Sequence, residues 1–400
     1  MERDELSAWL RLGLTPGVGN TSARKLLAAF GLPQNVFAQS ATSLRQVVSS
    51  AQTQALASVP ETLEALTETT CQWLQTESPA GVDRRVLTLG DPQYPQSLLN
   101  LDDPPLLLYV LGNGVFHAVG ATSPAEANPS ATHTALVDPL SCIAMVGSRN
   151  PTPQGAANAR LFAKNLVQSG LTIVSGLALG IDGAAHEGAL EGSHSRQNHA
   201  ATVAVVGTGL DRVYPSAHRA LAHRIAQNGL LISEYPLGTP PLTANFPKRN
   251  RLIAGLSQGT LVVEAALKSG SLITARLTSD QGKDVFAIPG SIHAAQSRGC
   301  HALIKQGAKL VESAQDVLEE MHWPSNRCAD AGVAASAASD DEVGSTPSLL
   351  VAMGFDPVGL DALQARTRLD TANLQAELMG LEIDGKIARL PGGLFQRQVT

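Results

Sequence analysis

The densest group of side chains that could bind a ligand is a short basic segment past the middle of the chain. Lys248, Arg249 and Arg251 follow Phe246, with Asn250 between the arginines, at the predicted start of a helix. Cations at a helix N-terminus oppose the helix dipole, which suggests a ligand-facing role. Lysine and arginine contact phosphates, and a phenylalanine face can stack on a base. The segment indicates binding of a nucleic-acid strand; the alternative is a solvated helix start with Phe246 in the core.

A second set of candidates consists of small residues that follow predicted strands. The members of this set are Gly147, Ser148, Ser175, Gly176, Gly207, Gly209, Ser269, Gly270 and Ser271. Small residues allow a ligand to approach helix N-termini, whose free N–H groups favour anions. Arg149, directly after the first of these strands, adds a planar donor fork for phosphate. We therefore predict a phosphate-binding rim, although the glycines could simply close tight turns.

Charge is unevenly distributed along the chain. The whole sequence carries a net charge of −6, but residues 245–310 hold nine Lys or Arg and three acids, a local balance of 9 − 3 = +6. Such a window can attract a polyanion without a basic isoelectric point, or it can be a solvated helical face. Arg276, from the same window, completes the predicted DNA-binding residues.

The P-loop and zinc-protease motifs are missing from the sequence. GxxxxGK[ST] and HExxH are absent, and no Cys/His cluster has metal-ligand spacing. Asp182 and His186 are four residues apart on a predicted helix and could form an acid/base pair, but a helix cap and a packed imidazole explain them better. We therefore expect no catalytic residue, no metal and no cofactor.

Short apolar runs alternate with helical patterns in the middle of the chain. The predicted strands are residues 143–147, 171–175, 202–207, 230–233, 260–264 and 285–288. The predicted helices are residues 154–168, 181–190, 217–227, 249–257 and 272–281. Continuous apolar strands spaced by helices predict a parallel sheet covered on both faces, which is a doubly wound, Rossmann-like α/β fold.

Composition divides the chain into four parts. Residues 1–85 read as a helical domain, like a SAM or helix–hairpin–helix domain, because Pro16-Gly17-Val18-Gly19 separates two helical patterns. This turn could present N–H groups to a phosphate or simply join two helices. Residues 86–323 form the Rossmann-like part with a loop insertion at 113–140. Residues 324–345 read as a flexible linker, and residues 346–400 as a winged-helix domain.

The winged-helix part has a charge balance that is unusual for a DNA-binding domain. From Ser345 onward, five cations face six acids, and Glu377 lies in the expected recognition helix. This balance argues against groove binding and favours a protein-contact or regulatory role. Elsewhere the chain has no apolar run of 18 residues and no paired cysteine motif, so we expect a cytoplasmic protein without a membrane segment.

Taken together, the motifs closely resemble the DNA-processing protein A (DprA/Smf) family. The strings that carry the resemblance are Gly147-Ser148-Arg149, Tyr214-Pro215 and residues 175–186, 207–211, 233–235, 246–257, 262–265, 269–272, 286–290 and 303–308. They cover residues 86–322 densely and the flanking parts by order alone. The resemblance implies a homodimeric, non-enzymatic protein that binds single-stranded DNA during natural transformation, protects it and helps to load the recombinase RecA.

The resemblance also implies that Arg149 and residues 249–251 lie in a basic DNA pocket. Two departures from the family pattern matter. Ser216 stands where some relatives carry a pocket lysine, which Lys248 could replace, and the 113–140 stretch is longer than the usual connection.

Two other functions are compatible with parts of the sequence. Gly259-Thr260 with Glu264 faintly matches a motif of nucleoside-monophosphate phosphoribohydrolases on the same Rossmann variety, although Ser257-Gln258 replaces its leading glycines. A transcription factor built on the winged helix is the third possibility, and its acidic balance counts against it.

Overall fold

The computed structural model describes residues 1–76, 81–113, 141–193, 200–323, 348–354 and 357–398. The predicted linker at 324–345 lies outside the described residues, and so does the predicted insertion at 113–140 apart from Asn113.

The N-terminal part is helical up to Gln75, whereas residues 82–85, which were predicted to belong to it, lie in a strand of the central sheet. Its helices are α1 (Arg3–Leu14), α2 (Asn20–Phe30), α3 (Pro33–Phe37), α4 (Ala41–Arg45), α5 (Ser50–Ala57) and α6 (Leu63–Gln75). A tight turn joins α1 to α2, closed by a hydrogen bond from the Val18 N–H to the Thr15 carbonyl at 3.1 Å. Leu6, Trp9 and Leu10 of α1 are buried in the same apolar cluster as residues of the central sheet.

Nine strands form the central sheet. They are β1 (Val82–Thr88), β2 (Leu107–Asn113), β3 (Cys142–Val146), β4 (Thr172–Ser175), β5 (Thr202–Val205), β6 (Leu230–Ser233), β7 (Gly259–Val262), β8 (Asp284–Ala287) and β9 (Lys309–Leu310). Their spatial order is β1-β2-β6-β5-β4-β3-β7-β8-β9. The strands from β6 to β9 are parallel, whereas β1 and β2 are antiparallel to their neighbours. The doubly wound α/β prediction is therefore confirmed, with two antiparallel strands and the short β9 added.

Helices cover both faces of this sheet. They are α7 (Pro153–Gln168), α8 (Ile181–Gly192), α9 (Arg219–Asn228), α10 (Asn245–Gly255), α11 (Ser271–Asp280), α12 (Arg298–Lys305) and α13 (Ala314–Glu320). Strand β3 shows the two faces most clearly. Ile143 and Met145 pack with residues of α7 and α8, and Cys142 and Ala144 pack with residues of α10 and α11. Such two-sided burial is what a continuous apolar strand predicts.

The chain reverses its winding direction between β3 and β7. From β3 the sheet grows outward through β4, β5 and β6, and the chain then returns to place β7 on the other side of β3. In open α/β sheets, ligands bind at such a switch point, beyond the carboxyl ends of the strands. We therefore expect a ligand to bind near the residues that follow β3 and β7.

The C-terminal part has the helices and hairpin of a winged helix. Its elements are α14 (Ser348–Met353), β10 (Val358–Gly359), α15 (Leu360–Thr367), α16 (Thr371–Ile383), β11 (Ile387–Leu390) and β12 (Leu394–Arg397). The three strands form their own sheet, and the buried residues of this part form a separate apolar cluster. The predicted wing is the β11–β12 hairpin, whereas α14 and β10 were not predicted.

Candidate nucleic-acid interface

An open cleft of about 590 Å³ lies at the switch point between β3 and β7. The predicted site residues that line it are Gly147, Ser148, Arg149, Phe246, Arg249, Asn250, Ser269, Gly270 and Ser271. They come from the loops after β3 and β7, from the first two turns of α10 and from the start of α11. The structure thus brings together residues that are more than 100 positions apart in sequence.

The mouth of the cleft combines a cation with two aromatic rings. Arg149 is exposed, and its guanidinium carbon lies 5.9 Å from the centre of the Phe246 ring. The Tyr214 ring centre lies 5.7 Å from that of Phe246, and Tyr214 is 49% exposed. A guanidinium over an aromatic face gains about 0.5–1 kcal/mol at an exposed site and keeps its donors available for a phosphate. The exposed Tyr214 face can stack on an unpaired base.

Two neighbours hold Phe246 in this position. The Asn245 side-chain amide donates to the Gly207 carbonyl at 3.1 Å, which fixes the first turn of α10. A Cβ at position 207 would lie 3.1 Å from Cδ1 of Phe246, so glycine leaves room for the ring. The helix begins at Asn245, four residues earlier than predicted, and Phe246 therefore belongs to its first turn.

Arg249 is buried and bonded to the protein, and its predicted phosphate contact stays a prediction. It is only 4% exposed, and its Nη1 donates to the carbonyl oxygens of Gly176, at 2.6 Å, and Val205. Burial lowers its pKa, although an arginine remains protonated in proteins. Arg249 also lines the cleft, while its Nη1 points toward the ends of β4 and β5.

The negative partner of Arg249 is Asp182 at the start of α8. Its carboxylate accepts hydrogen bonds from the N–H groups of Gly176, at 3.1 Å, and Ala178, at 3.3 Å. Burial raises the pKa of Asp182, and the charge of Arg249 and these N–H groups oppose that effect. Asp182, which also lines the cleft, thus balances the charge of a buried arginine.

Arg251 is also engaged by the protein. Its Nη2 lies 2.5 Å from the Glu234 carboxylate and 3.6 Å from that of Asp103. The Arg251 side chain is 14% exposed and the Glu234 side chain 11%, and burial raises the pKa of Glu234. Asn20 of α2 donates to Asp103 at 3.3 Å, so the chain of contacts reaches the N-terminal helices. The Arg251 guanidinium is therefore already paired within the protein, and its predicted contact with DNA would have to compete with these carboxylates.

The remaining predicted cations lie outside the cleft. Lys248 is exposed in the first turn of α10 but does not line the cleft. Arg276 is exposed on α11 and lines a different groove. Lys268, which was not predicted, is exposed and lines the cleft. Some relatives carry a pocket lysine at the position of Ser216. Lys268 is a better candidate than Lys248 to supply that positive charge in this protein.

Three of the predicted glycines make room for the protein itself, and Ser175 is engaged by it, while their role toward a ligand stays a prediction. A Cβ at Gly147 would meet Ile181, at Gly176 it would meet the Arg249 guanidinium, and at Gly209 it would meet Asp211. Ser175 is fully buried and donates to the Met145 carbonyl at 2.7 Å.

The region around Gly270 remains open to a ligand. A Cβ at Gly270 would have open space around it, and the Oγ atoms of Ser269 and Ser271 lie 2.7 Å apart. Close backbone approach by a ligand is thus available at the start of α11. Asn250 borders this region, with its amide 3.4 Å from the Gly270 carbonyl.

The residues considered for catalysis have structural partners. Thr202 Oγ1 donates to the Ile173 carbonyl and therefore accepts from Nδ1–H of His186 at 2.7 Å. His186 is fully buried, and burial lowers its pKa to about 3. Glu264 accepts hydrogen bonds from the N–H and hydroxyl of Thr152 at the start of α7. These contacts hold helices in place and leave the hydrolase interpretation without a specific observation in its favour.

Within the described ranges, no cluster of three or more His, Cys, Asp or Glu residues could hold a metal ion. The described helices are also too short or too polar to cross a lipid bilayer.

Two known protein families match parts of this chain. The family described as "DNA recombination-mediator protein A" matches residues 133–322, and the "DprA winged helix domain" matches residues 333–393. Protein Smf of Escherichia coli (strain K12) is 40% identical over 303 residues, which cover 75% of this chain and 74% of that protein. The chain belongs to the DprA/Smf family.

DNA processing protein A of Streptococcus pneumoniae extends the comparison in both sequence and structure. DNA processing protein DprA of the R6 strain is 44% identical over 235 residues, which cover 58% of this chain and 73% of that protein. The X-ray structure of DNA processing protein A from the same species aligns with a TM-score of 0.60 and 34% identity, over 80% of this chain and 98% of that one. The resemblance inferred from the sequence motifs is therefore confirmed.

Proposed function

We propose that the protein binds single-stranded DNA in the cleft at the switch point of its sheet. The observation that carries the proposal is the arrangement of Arg149, Phe246 and Tyr214 at the mouth of the cleft. Arg149 offers a bidentate donor for a phosphate. Lys268 adds a second charge at the cleft wall, and the exposed Tyr214 ring offers a stacking face for a base.

The preference for a single strand follows from the aromatic contact. Paired bases in a duplex are stacked on each other and cannot expose a face to Tyr214, whereas a single strand can splay its bases onto a ring. Because the contacts are to phosphates and to ring faces, binding has little dependence on base sequence. Because Arg249 is buried against the protein and Arg251 is paired with Glu234, few cations carry the affinity.

The biological role that we propose rests on family membership. Relatives named DNA processing protein and a family described as a DNA recombination mediator support a role in natural transformation. In this role the protein acts in the cytoplasm as a homodimer, protects incoming single strands and helps to load the recombinase RecA. It does so as a binding protein without catalysis or cofactor, and the winged helix serves as a protein-contact or regulatory module.

Fluorescence anisotropy with labelled single-stranded and duplex DNA of equal length tests this function. We expect tighter binding of the single strand, with a log–log salt slope of roughly −0.7 per phosphate neutralised. Equal affinity for the duplex would refute the proposal.

The enzymatic alternative has its own test. Incubation with AMP should release no adenine above background, because Glu264 is engaged by Thr152. Release that is abolished by Glu264→Gln would favour the hydrolase instead. Co-sedimentation with RecA filaments on single-stranded DNA would then examine the recombinase partnership separately.

A further inference from the structure

A second groove lies next to the proposed DNA cleft, between α11 and α12. It has a volume of about 650 Å³ and runs from the first turn of α11 to the starts of β8 and β9. Ile273 lines both this groove and the DNA cleft. Since one side chain borders both spaces, the groove continues the cleft along α11.

Arg276 is placed to face a strand that follows this route. Residues three apart on a helix share a face, so Arg276 lies about one turn, or roughly 5 Å, beyond Ile273. Both side chains are exposed, and Arg276 lines the groove. A strand leaving the cleft over the apolar Ile273 side chain would therefore meet a guanidinium within a short distance.

The other charges of the groove are already engaged. Lys283 Nζ donates to the carbonyl oxygens of Ala254, at 2.8 Å, and Gly255, at 3.2 Å, which end α10. Lys309 Nζ lies 3.1 Å from Asp284 and 2.8 Å from Glu320. Among the residues that the structure describes, Arg276 makes no hydrogen bond or ion pair. It is therefore the cation of the groove that is available to a phosphate.

We propose that bound single-stranded DNA leaves the cleft over Ile273 and continues into the α11–α12 groove, where Arg276 contacts its backbone. This inference rests on the proposed function and names the path that the strand takes beyond the cleft. Asp280, one turn beyond Arg276 and also lining the groove, marks the end of the favourable path because its charge repels phosphate. The route therefore begins at the cleft and offers the Arg276 guanidinium to the phosphates of the strand.

Oligonucleotide length separates this path from the cleft itself. Anisotropy titrations would compare oligothymidylates of roughly four and roughly twelve nucleotides, within the usual range of single-strand site sizes. Arg276→Ala should weaken binding of the longer strand about five- to tenfold and reduce its salt slope by about 0.7, while the shorter strand binds as before. Asp280→Asn should have the opposite effect and strengthen binding of the longer strand.

A matched control removes an exposed arginine elsewhere. Arg45→Ala on α4 makes the same charge change at a residue that lines neither space, and it should leave both affinities unchanged. If the short strand binds but Arg276→Ala and Arg45→Ala behave alike on the long strand, the path is wrong. If Arg276→Ala instead changes only the sedimentation coefficient, the groove is a protein interface, and the path is likewise wrong. If neither strand binds the parent protein, the proposed function itself fails.

Discussion

The Arg249 guanidinium occupies the space in which a side chain at Gly176 would begin. Its Nη1 donates to the Gly176 carbonyl at 2.6 Å, and a Cβ at position 176 would lie 2.3 Å from the same atom. The glycine after β4 and the arginine of α10 therefore depend on each other. This relationship separates two of the predicted phosphate contacts, because Arg249 supports the fold whereas Arg149 is exposed at the cleft.

Arg149→Ala should weaken binding of single-stranded DNA about tenfold to a hundredfold, because a charge-assisted contact to phosphate contributes roughly 1.5–3 kcal/mol. Arg149→Lys should restore part of the affinity, since an ammonium cannot reproduce the bidentate fork. Because Arg149 is exposed, the melting temperature should remain that of the parent. A DNA titration beside a thermal melt checks both statements. Parental affinity in Arg149→Ala would show that this residue does not anchor the strand.

Arg249→Ala should destabilise the protein by roughly 3–5 kcal/mol, because it leaves the buried Asp182 carboxylate without its counter-charge. Urea unfolding measures this loss, and any loss of DNA binding should follow the unfolded fraction. The double variant Asp182→Asn/Arg249→Met serves as the control, since it removes both charges and should recover part of the stability. An Arg249→Ala variant that melts like the parent but no longer binds DNA would support the predicted phosphate contact of Arg249.

Tyr214→Ala should weaken binding of single-stranded DNA by about 1–3 kcal/mol, the usual contribution of stacking one base on an aromatic ring. Tyr214→Phe should bind nearly as well as the parent because the ring face is kept. The same titrations with a strand that lacks its bases isolate the stacking contribution. On that strand the alanine and parent proteins should have equal affinity; a persistent difference would mean that Tyr214 acts through the backbone or the fold.

Stability should fall between pH 7 and about pH 5.5 because of His186. Burial, followed by the charges of His218 and Arg249, lowers its pKa to about 3 from 6.5. As the pH drops below 6.5, the unfolded chain therefore binds a proton that the folded protein does not bind. Stability decreases by up to about 1.4 kcal/mol per pH unit in this window.

The His186→Gln variant isolates this contribution, since an amide can still donate to Thr202. Urea unfolding at several pH values should give a shallower pH dependence for the variant than for the parent. Parallel curves would show that another group controls stability in this range.

The sequence predicted the elements whose apolar pattern is strong. Strands β3 to β8 are continuous apolar runs, and their positions agree with the prediction to within two residues. Strand β1 escaped prediction because Asp83, Arg84 and Arg85 interrupt it, whereas β2 has an apolar run at residues 107–111 that the prediction missed. Their pairing joins segments about 25 residues apart and is not visible in local pattern.

Within the site, helical spacing could have predicted that Arg249 points inward, whereas its charge suggested an exposed residue. Arg249 shares a helix face with Leu252 and Ile253, both buried, so its inward direction follows from the period of α10. The pairing of Arg251 with Glu234 has no such local signal, because the two residues meet only through the packing of α10. Tyr214 and Lys268 reach the cleft from loops, where sequence gives no direction for a side chain.

Strand β1 also protects the edge of the sheet from pairing with other molecules. It is an outer edge, and its Asp83, Arg84 and Arg85 place charges along the row of backbone groups that could recruit a strand from another molecule. A fragment that begins at residue 86 would lose these charges and leave the apolar Val110 and Leu111 of β2 without partners. Such a fragment would expose a new edge that can pair with other molecules, so a boundary at residue 86 would cut through the sheet and not between two domains.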